Sequence, residues 1–553
     1  METRPRIGAF IGAGLFVFAL LLRLVGIGWG MRNDLHDWSY HPDEPIIQLY
    51  SQRIEPTQGK FTPGFYNYGT FYLTTLKVAS DVVAGYTGGP DPKNPVSDQS
   101  LSFYSRVTFA GRLISALAGA GTVLIVFLTL RRWTGLLGGA LGALVVAVAP
   151  AFVVHSRFQT TDVLATFLLA AGTYAALQTL DADAKRGLRA ALFSGLWFGL
   201  SAGTKYTGIL GLVTLFVAVF ASKRPTAVRE SLAGLGTAIL ALVVSTPGVL
   251  LDRAKFIEDF RYEMWHTSSG HGDVFTNTPS GFIQHLINLM VGVDPILMLL
   301  GIAGLGWAAY KRKPEALAIG AFFLLYYILI GRAEVKFIRY TFPLLIGLAA
   351  GVAWAVSQGH ERGGRWKGLV ALAILGIGGL DFLGGMISTA RMTAWMVGED
   401  PRDTAARYLK QSPNEAVGLA RDPWFWTVPL WKEAGVPRFV PVDQRRLDMQ
   451  SSVPPAVLHQ GPESFSDFDI RLITEDKPPR IAMTSFEYFD LLRLKGYDGP
   501  NEVTKIQARE ADEFFTALRK DYDPEFVWGT DYIPIHDLMY VRPQVQVWKR
   551  KGG

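Results

Sequence analysis

The sequence predicts a polytopic α-helical membrane protein of about eleven spans with a C-terminal α/β domain. Three observations lead there. Charged residues make up only 18% of the 553, well below the share usual in soluble domains, and the mean hydropathy is +0.21. Apolar runs of spanning length recur through residues 1–390, separated by short basic clusters. Beyond 390 charges become frequent, and short apolar runs alternate with helical patterns.

The first run, "METRPRIGAFIGAGLFVFALLLRLVGIGWG", has Arg4 and Arg6 before an apolar stretch long enough to span. No small-residue cleavage pattern follows, so it reads as an uncleaved helix with its N-terminus in the cytoplasm. Arg23, near its far end, is expected to snorkel to the interface. Further apolar segments lie at 107–130, 135–153, 162–180, 190–221, 231–250, 286–309, 315–331, 340–357 and 367–389. Between them sit Arg131/Arg132, Lys185/Arg186/Arg189, Lys223/Arg224/Arg229, Lys311/Arg312/Lys313 and Arg362/Arg365/Lys367. If every basic cluster is cytoplasmic, an even number of spans separates neighbours, and 190–221 must be two short helices broken near "SAGTKYTG".

This parity describes a multi-pass protein of the cell (inner or plasma) membrane. A membrane domain, 1–390, precedes an extracytoplasmic α/β domain, 391–553. Four segments then fall outside: the loop 30–105, the turn 155–162, the loop 251–283 and the turn 331–340. The first holds "FYNYGTFYLTTLKVASDVVAGY", an aromatic amphipathic stretch suited to lie along the interface with membrane lipids. In the C-terminal part "AVGLA", "RFVPV" and "RIAMTS" read as buried strands. "EDPRDTAARYLKQ" starts a helix, with Asp400 as cap and Pro401 in the first turn.

Several function classes drop out. The chain has no cysteine, which excludes disulfides, thiolate zinc sites and thiol nucleophiles. Its net charge of +6 lies in clusters between apolar runs, which fits membrane topology and not nucleic-acid binding. No phosphate-binding P-loop and no dinucleotide glycine motif followed by an acid is present, which argues against a nucleotide cofactor.

The unusual polar residues gather in the four outer segments. "DWSYHPDEPIIQLY" places Asp43 and Glu44 between Pro42 and Pro45, near Trp38 and Tyr40. A solvated acidic loop is the ordinary reading of such a pair; the rigid, aromatic context favours a general base or a metal ligand. "HSRFQTTDV" offers His155, Arg157 and Asp162; a threonine-capped hairpin would explain Asp162 but not the other two. Lys205 in "GTKYTG" stands in an apolar region, where it either snorkels or faces a polar cavity. "RAEVKFIRY" clusters Arg332, Lys336 and Arg339 outside, against the positive-inside trend, which suits a bound phosphate. "RYEMWHTSSGHGD" supplies His266, His271 and Asp273 without helical metal-ligand spacing, so an ordered substrate loop is favoured over zinc. No cofactor is certain; a divalent metal on Asp43, Glu44 and His271 stays open.

"HPDE" after the first span, "SRFQTTD", "AGTKYTG" and "KFIRYTFP", in that order and on that side, resemble the GT-C membrane glycosyltransferases. The likeness is to the protein O-mannosyltransferase and lipid A aminoarabinose transferase type, over roughly residues 7–390. It implies inverting transfer of a sugar from a polyprenyl-phosphate donor to a protein, glycan or lipid hydroxyl on the outer face. Asp43 then matches the first-loop catalytic acid, Glu44 completes its pair, and Asp162 matches the second-loop acid. Arg112 matches an arginine near the start of the second span. Lys336, Arg339 and Tyr340 match the late basic motif facing the carrier phosphate. One departure stands out: aminoarabinose transferases have a lysine-proline pair where this chain reads "NYGTF". The rival from another class is a transporter or flippase for a lipid-linked or anionic substrate, with which Lys205 and the split run 190–221 agree.

Overall fold

The computed structural model describes residues 3–94, 97–361, 384–430, 449, 452–459 and 467–552. It contains two compact units. One comprises Met1–Ile27, Ile46–Ser269 and Pro279–Thr393; the other comprises Gly28–Pro45, Gly270–Thr278 and Ala394–Gly553.

The first unit is helical. Its N-terminal helix, Thr3–Leu24, packs on the long helical stretch Asp98–Ala147. Arg23 does not snorkel, contrary to the sequence expectation. It is fully buried, and its Nε donates to Ser156 Oγ at 3.1 Å while the guanidinium donates to the carbonyls of Ala19 (3.0 Å) and Ala147 (3.3 Å). Ala147 ends its helix, where carbonyls have no partner within the helix, so a cation is drawn inward to cap them.

The predicted span 107–130 and most of 135–153 lie in one helical stretch, Asp98–Ala147, with a non-helical residue, Gly135, at φ 77°, and Pro150–His155 is a separate helix. In a straight helix residues 131 and 139 stand about 12 Å apart. Here a Cβ on Gly139 would meet Arg131 N at 2.7 Å, so the chain turns sharply at Gly135. The positive φ there is one that glycine adopts without strain.

The run 190–221 breaks where "SAGTKYTG" lies: helix Ala184–Ala202, then a 3-10 turn Tyr206–Gly211, then helix Leu212–Ala221. The break is held by main chain from the "NYGTF" loop. Phe71 N–H donates to Gly203 O at 2.9 Å, and a Cβ on Gly69 would come within 2.0 Å of that same oxygen. Gly69→Ala is therefore expected to lower the unfolding midpoint, with an overpacking cost of about 1–3 kcal/mol. Gly85→Ala, inside the helix Phe71–Thr87 where an added Cβ meets nothing within 4 Å, is the control and should not lower it. Thermal unfolding of both variants in detergent checks this.

The segment 286–309, expected as one span, is instead two helices, Gly281–Gly292 and Pro295–Tyr310, bent by 116°. Asp294 starts the second: its Oδ1 accepts from the N–H groups of Ile296 (2.9 Å) and Leu297 (2.8 Å), and Pro295 takes the first helical position. Among the described residues five helices are long and apolar enough to cross a membrane, or six with that bent pair taken as one span. Most of the predicted span 367–389 lies outside the described residues; the helix Gly385–Val397 follows.

The second unit is built on a five-stranded mixed sheet, with strands β1 Val417–Leu419, β2 Ala456–Val457, β3 Arg480–Thr484, β4 Tyr522–Trp528 and β5 Val545–Arg550. The order is β2-β1-β3-β5-β4; β1 runs parallel to β2 and β3, and β5 antiparallel to β3 and β4. β1 and β3 lie within "AVGLA" and "RIAMTS" and are buried on both faces, which is why they show no alternation. "RFVPV" lies outside the described residues. Helix Glu502–Asp521 packs Phe514, Phe515 and Leu518 against Ile481 and Met483. Helix Pro401–Leu409, capped by Asp400 through Arg402 N–H at 2.9 Å, packs Ala405, Ala406 and Leu409 against Val417, Leu419 and Val547. Leu35 sits in the same cluster. The unit is therefore discontinuous in sequence, whereas the composition showed one boundary near 390.

Candidate active site

In the second unit, residues 28–45 form a closed turn. Tyr40 N–H donates to Gly30 O at 2.9 Å, and Asn33 Oδ1 accepts from the N–H groups of Leu35 (2.8 Å) and His36 (3.1 Å). Asp43 and Glu44 occupy the first turn of the helix Asp43–Ser51, where unpaired N–H groups favour carboxylates. Glu44 is fully buried and accepts a hydrogen bond from Ser39 Oγ. Asp43 is half-buried, and its N–H donates to His41 Nδ1 at 3.2 Å, so in neutral His41 the ring proton sits on Nε2. A solvated loop does not describe this pair: burial of Glu44 requires the partner it has.

The first unit assembles a second carboxylate centre. Asp162 lies in the first turn of the helix Thr161–Gln178, and the N-cap Thr160 makes no side-chain capping bond. The Asp162 side chain is buried, with Lys205 Nζ paired to Oδ1 and Arg339 Nε 3.9 Å from Oδ2. Lys205 reaches it because the main chain leaves the helix at 203–205; Nζ also sits 4.3 Å from the centre of the Tyr340 ring. A pocket opens here, lined among others by Asp162, Ser201, Lys205, Thr207, Tyr326 and Arg339. Lys205 therefore faces this pocket, beside Asp162, and does not snorkel.

The "KFIRY" turn is fixed from two sides. Asn288 Nδ2 donates to Lys336 O at 2.9 Å, and Glu334 N–H donates to Thr267 O at 2.9 Å. Lys336 Nζ pairs with Glu334 at 3.2 Å. His266, on the helix Arg253–Ser269, stacks parallel to Tyr262 with centroids 6.0 Å apart. Burial, and after it the charge of Arg339, hold its pKa below the ordinary histidine value. His266 is thus within electrostatic reach of Arg339.

Other predicted residues are placed differently. His155 packs edge-on to Phe158 and Phe342. Arg112 Nη1 donates to Ile27 O at 2.7 Å; Arg157 Nη2 donates to Leu22 O at 2.7 Å and Thr393 Oγ1 at 2.8 Å. Both arginines clasp main chain at the end of the first helix. His271 belongs to the second unit, in the segment Gly270–Thr278. Among the described residues no three His, Asp or Glu side chains form a group able to hold a metal, so Asp43, Glu44 and His271 do not assemble one.

Sequence reasoning missed a network beside the "NYGTF" loop. Tyr66 donates its N–H to Asp259 (2.8 Å) and its hydroxyl to Asp252 (3.0 Å), while Tyr206 OH donates to the carbonyls of Tyr66 (2.7 Å) and Tyr68 (3.0 Å). No spacing connects positions 66, 206 and 252–259, so nothing in the sequence announced it.

Residues 100–250, which hold Arg112, His155, Arg157, Asp162 and Lys205, match the family described as dolichyl-phosphate-mannose-protein mannosyltransferase. The fold is similar to that of the oligosaccharyltransferase AglB from Archaeoglobus fulgidus, solved with an inhibitory peptide and a dolichol-phosphate. The TM-score is 0.54 at 14% identity, covering 96% of this chain and 74% of that one. Over residues 100–250 the chain thus matches a mannosyltransferase family, and its fold is similar to that of a membrane oligosaccharyltransferase. Two further solved structures show a weaker similarity. ArnT from Cupriavidus metallidurans bound to undecaprenyl phosphate has a TM-score of 0.45 at 18% identity, covering 72% of this chain and 70% of that one. The Pmt1-Pmt2 complex from S. cerevisiae bound to the sugar donor has 0.30 at 20%, covering 49% and 36%. No curated protein matches.

Proposed function

We propose that this chain transfers a sugar, a mannose-like hexose or a related one, from a polyprenyl-phosphate donor to a hydroxyl acceptor on the extracytoplasmic side, with inversion. The observation that carries the reading is the convergence of Lys205 and Arg339 on the single carboxylate of Asp162. Two cations against one anion leave net positive charge in a pocket, which suits a phosphate group. The matched family's description names a dolichyl-phosphate mannose donor, which has this chemistry.

In this reading Lys205 and Arg339 hold the donor phosphate and stabilise charge as it leaves. Asp43 accepts the proton of the acceptor hydroxyl while its oxygen attacks the anomeric carbon from the face opposite the phosphate. The bond from that carbon to the phosphate oxygen breaks, and polyprenyl phosphate departs with the electron pair. Glu44, bonded to Ser39, orients the turn that carries Asp43. Asp162 keeps the two cations in place.

Incubating the purified protein with radiolabelled polyprenyl-phosphate mannose, glucose and 4-amino-arabinose, with membrane extract as acceptor source, tests the reading. Label moving from one donor to an acceptor supports it; label moving across sealed vesicles with the donor intact supports the transporter. The break at 203–205 resembles the broken helices of transporters, but its main-chain packing against Gly69 leaves little room for rocking.

Arg339→Ala is expected to weaken binding of undecaprenyl phosphate, since a charge-assisted contact contributes about 1.5–3 kcal/mol, or roughly tenfold to a hundredfold in affinity. Arg339→Lys should restore only part, because lysine lacks the planar fork. Equal affinity in both variants and the wild type would assign Arg339 to the packing it makes with Phe337.

A further inference from the structure

A buried polar lattice in the second unit stands behind the acidic pair and has no part in the chemistry above. Its centre is Asp403 on the helix Pro401–Leu409. Tyr40 OH donates to Asp403 Oδ1, Asn33 Nδ2 donates to Oδ2 at 2.8 Å, and His36 Nε2 lies 3.6 Å away. Arg402 lies with its guanidinium carbon 3.6 Å from the centre of the Tyr40 ring and is held by Asp400 through two bonds of 2.8 Å. His36 also stacks on the Tyr40 ring, with centroids 4.2 Å apart. Tyr40 and Arg402 are fully buried. Arg407 adds a two-pronged pair to Asp34, at 2.9 Å for each bond. Burial holds the pKa of His36 down to about 4 and that of Asp403 up to about 6, so at neutral pH an uncharged ring lies beside a carboxylate acceptor.

Tyr40 is three residues before Asp43, and what joins them is short and tied at each step. Ser39 Oγ accepts from His41 N–H at 3.1 Å and donates to Glu44, and His41 Nδ1 accepts from Asp43 N–H. The His41 ring itself lies 5.1 Å from Tyr540. The position of the carboxylates is thereby set from residues of the C-terminal sequence. The same unit grips a second loop, with Arg493 Nη2 donating to the carbonyls of Asp273 (2.9 Å), Val274 (2.9 Å) and Thr276 (3.1 Å).

We infer that Tyr40, Arg402 and Asp403 are positioning residues for the transfer reaction. The helix Pro401–Leu409 fixes the turn that presents Asp43 and Glu44, which makes the C-terminal unit part of the catalytic apparatus. The inference rests on the assignment of Asp43 as base. It also explains why Asp403, an acid in the first turn of its own helix, points its oxygens at a tyrosine and an asparagine far away in sequence.

The test uses the full chain in nanodiscs, with Tyr40→Phe, Asp403→Asn, their double variant, Asp43→Asn, and Arg480→Ala as a control. Arg480 pairs with Glu415 and Glu525 and makes no contact with residues 28–45 in the network above. Hydrogen–deuterium exchange over residues 33–45 reads position directly; kcat and KM with the same three radiolabelled donors, and binding of undecaprenyl phosphate, read consequence. Tyr40→Phe and Asp403→Asn should raise exchange and lower kcat about 10- to 100-fold, the scale of a small misplacement, with KM and undecaprenyl phosphate binding unchanged. The double variant should cost less than the product of the two single effects, since both variants act on the Tyr40–Asp403 bond. Arg480→Ala should lower the unfolding midpoint alone. Unchanged exchange in Tyr40→Phe and Asp403→Asn overturns the inference, as does raised exchange with full kcat while Asp43→Asn is inactive. Full turnover in Asp43→Asn overturns the base assignment, and the positioning role with it.

Discussion

Asp43→Asn is expected to abolish sugar transfer while the protein stays folded and still binds undecaprenyl phosphate. Asparagine keeps the size of the side chain and can accept a hydrogen bond, and the main-chain bond from residue 43 to His41 Nδ1 does not involve the side chain at all. The charge that draws a proton from the acceptor hydroxyl is lost. General base catalysis contributes about 100- to 10,000-fold, so the loss falls on kcat. Glu44→Gln should cost less in turnover, because Glu44 is buried and bonded to Ser39 and so acts on the turn's shape. Turnover with saturating donor, measured beside binding of undecaprenyl phosphate, separates the two. Near-normal turnover in Asp43→Asn would return the residue to a helix-capping role at the start of Asp43–Ser51.

The second large effect concerns stability. Asp162→Asn leaves Lys205 and Arg339 close together without their shared carboxylate. Removing one partner of a buried ion pair costs about 3–5 kcal/mol, because the remaining charge is uncompensated. The unfolding midpoint should fall, and saturating undecaprenyl phosphate should raise it more in Asp162→Asn than in the wild type, since the ligand phosphate supplies the missing anion. Adding Lys205→Met should recover part of the loss by removing one cation. An unchanged midpoint in Asp162→Asn would mean that the carboxylate does not hold the two cations together.

Much of this was legible in the sequence, for identifiable reasons. Hydropathy marks apolar segments of spanning length, and among the described residues five helices, or six with the bent pair, are long and apolar enough to cross a membrane. Lys205 in an apolar run raised the question of a polar cavity because an ammonium there needs a partner, and Asp162 is that partner. What hydropathy cannot register is a short polar signal inside an apolar run. Asp294–Pro295 is a helix start, yet averaging over the window hid it and the 116° bend. Arg23 was misread for a related reason: a lone arginine at a span end can snorkel or turn inward, and the choice depends on carbonyls more than 120 residues away. The capture of Gly28–Pro45 by the C-terminal unit was equally silent. Asn33, Tyr40 and Asp403 meet only in three dimensions, and each has an ordinary local use as a turn, aromatic or helix-start residue.

In the proposed reaction the displacement is direct: Asp43 deprotonates the acceptor and does not bond to the sugar. The measurement that tests this most directly is the anomeric configuration of the sugar in the product, read by proton NMR after transfer from a donor of known configuration. Transfer by a single displacement requires the product to carry the opposite configuration. A product with the donor's configuration retained would exclude single displacement from the opposite face, and with it the proposed role of Asp43.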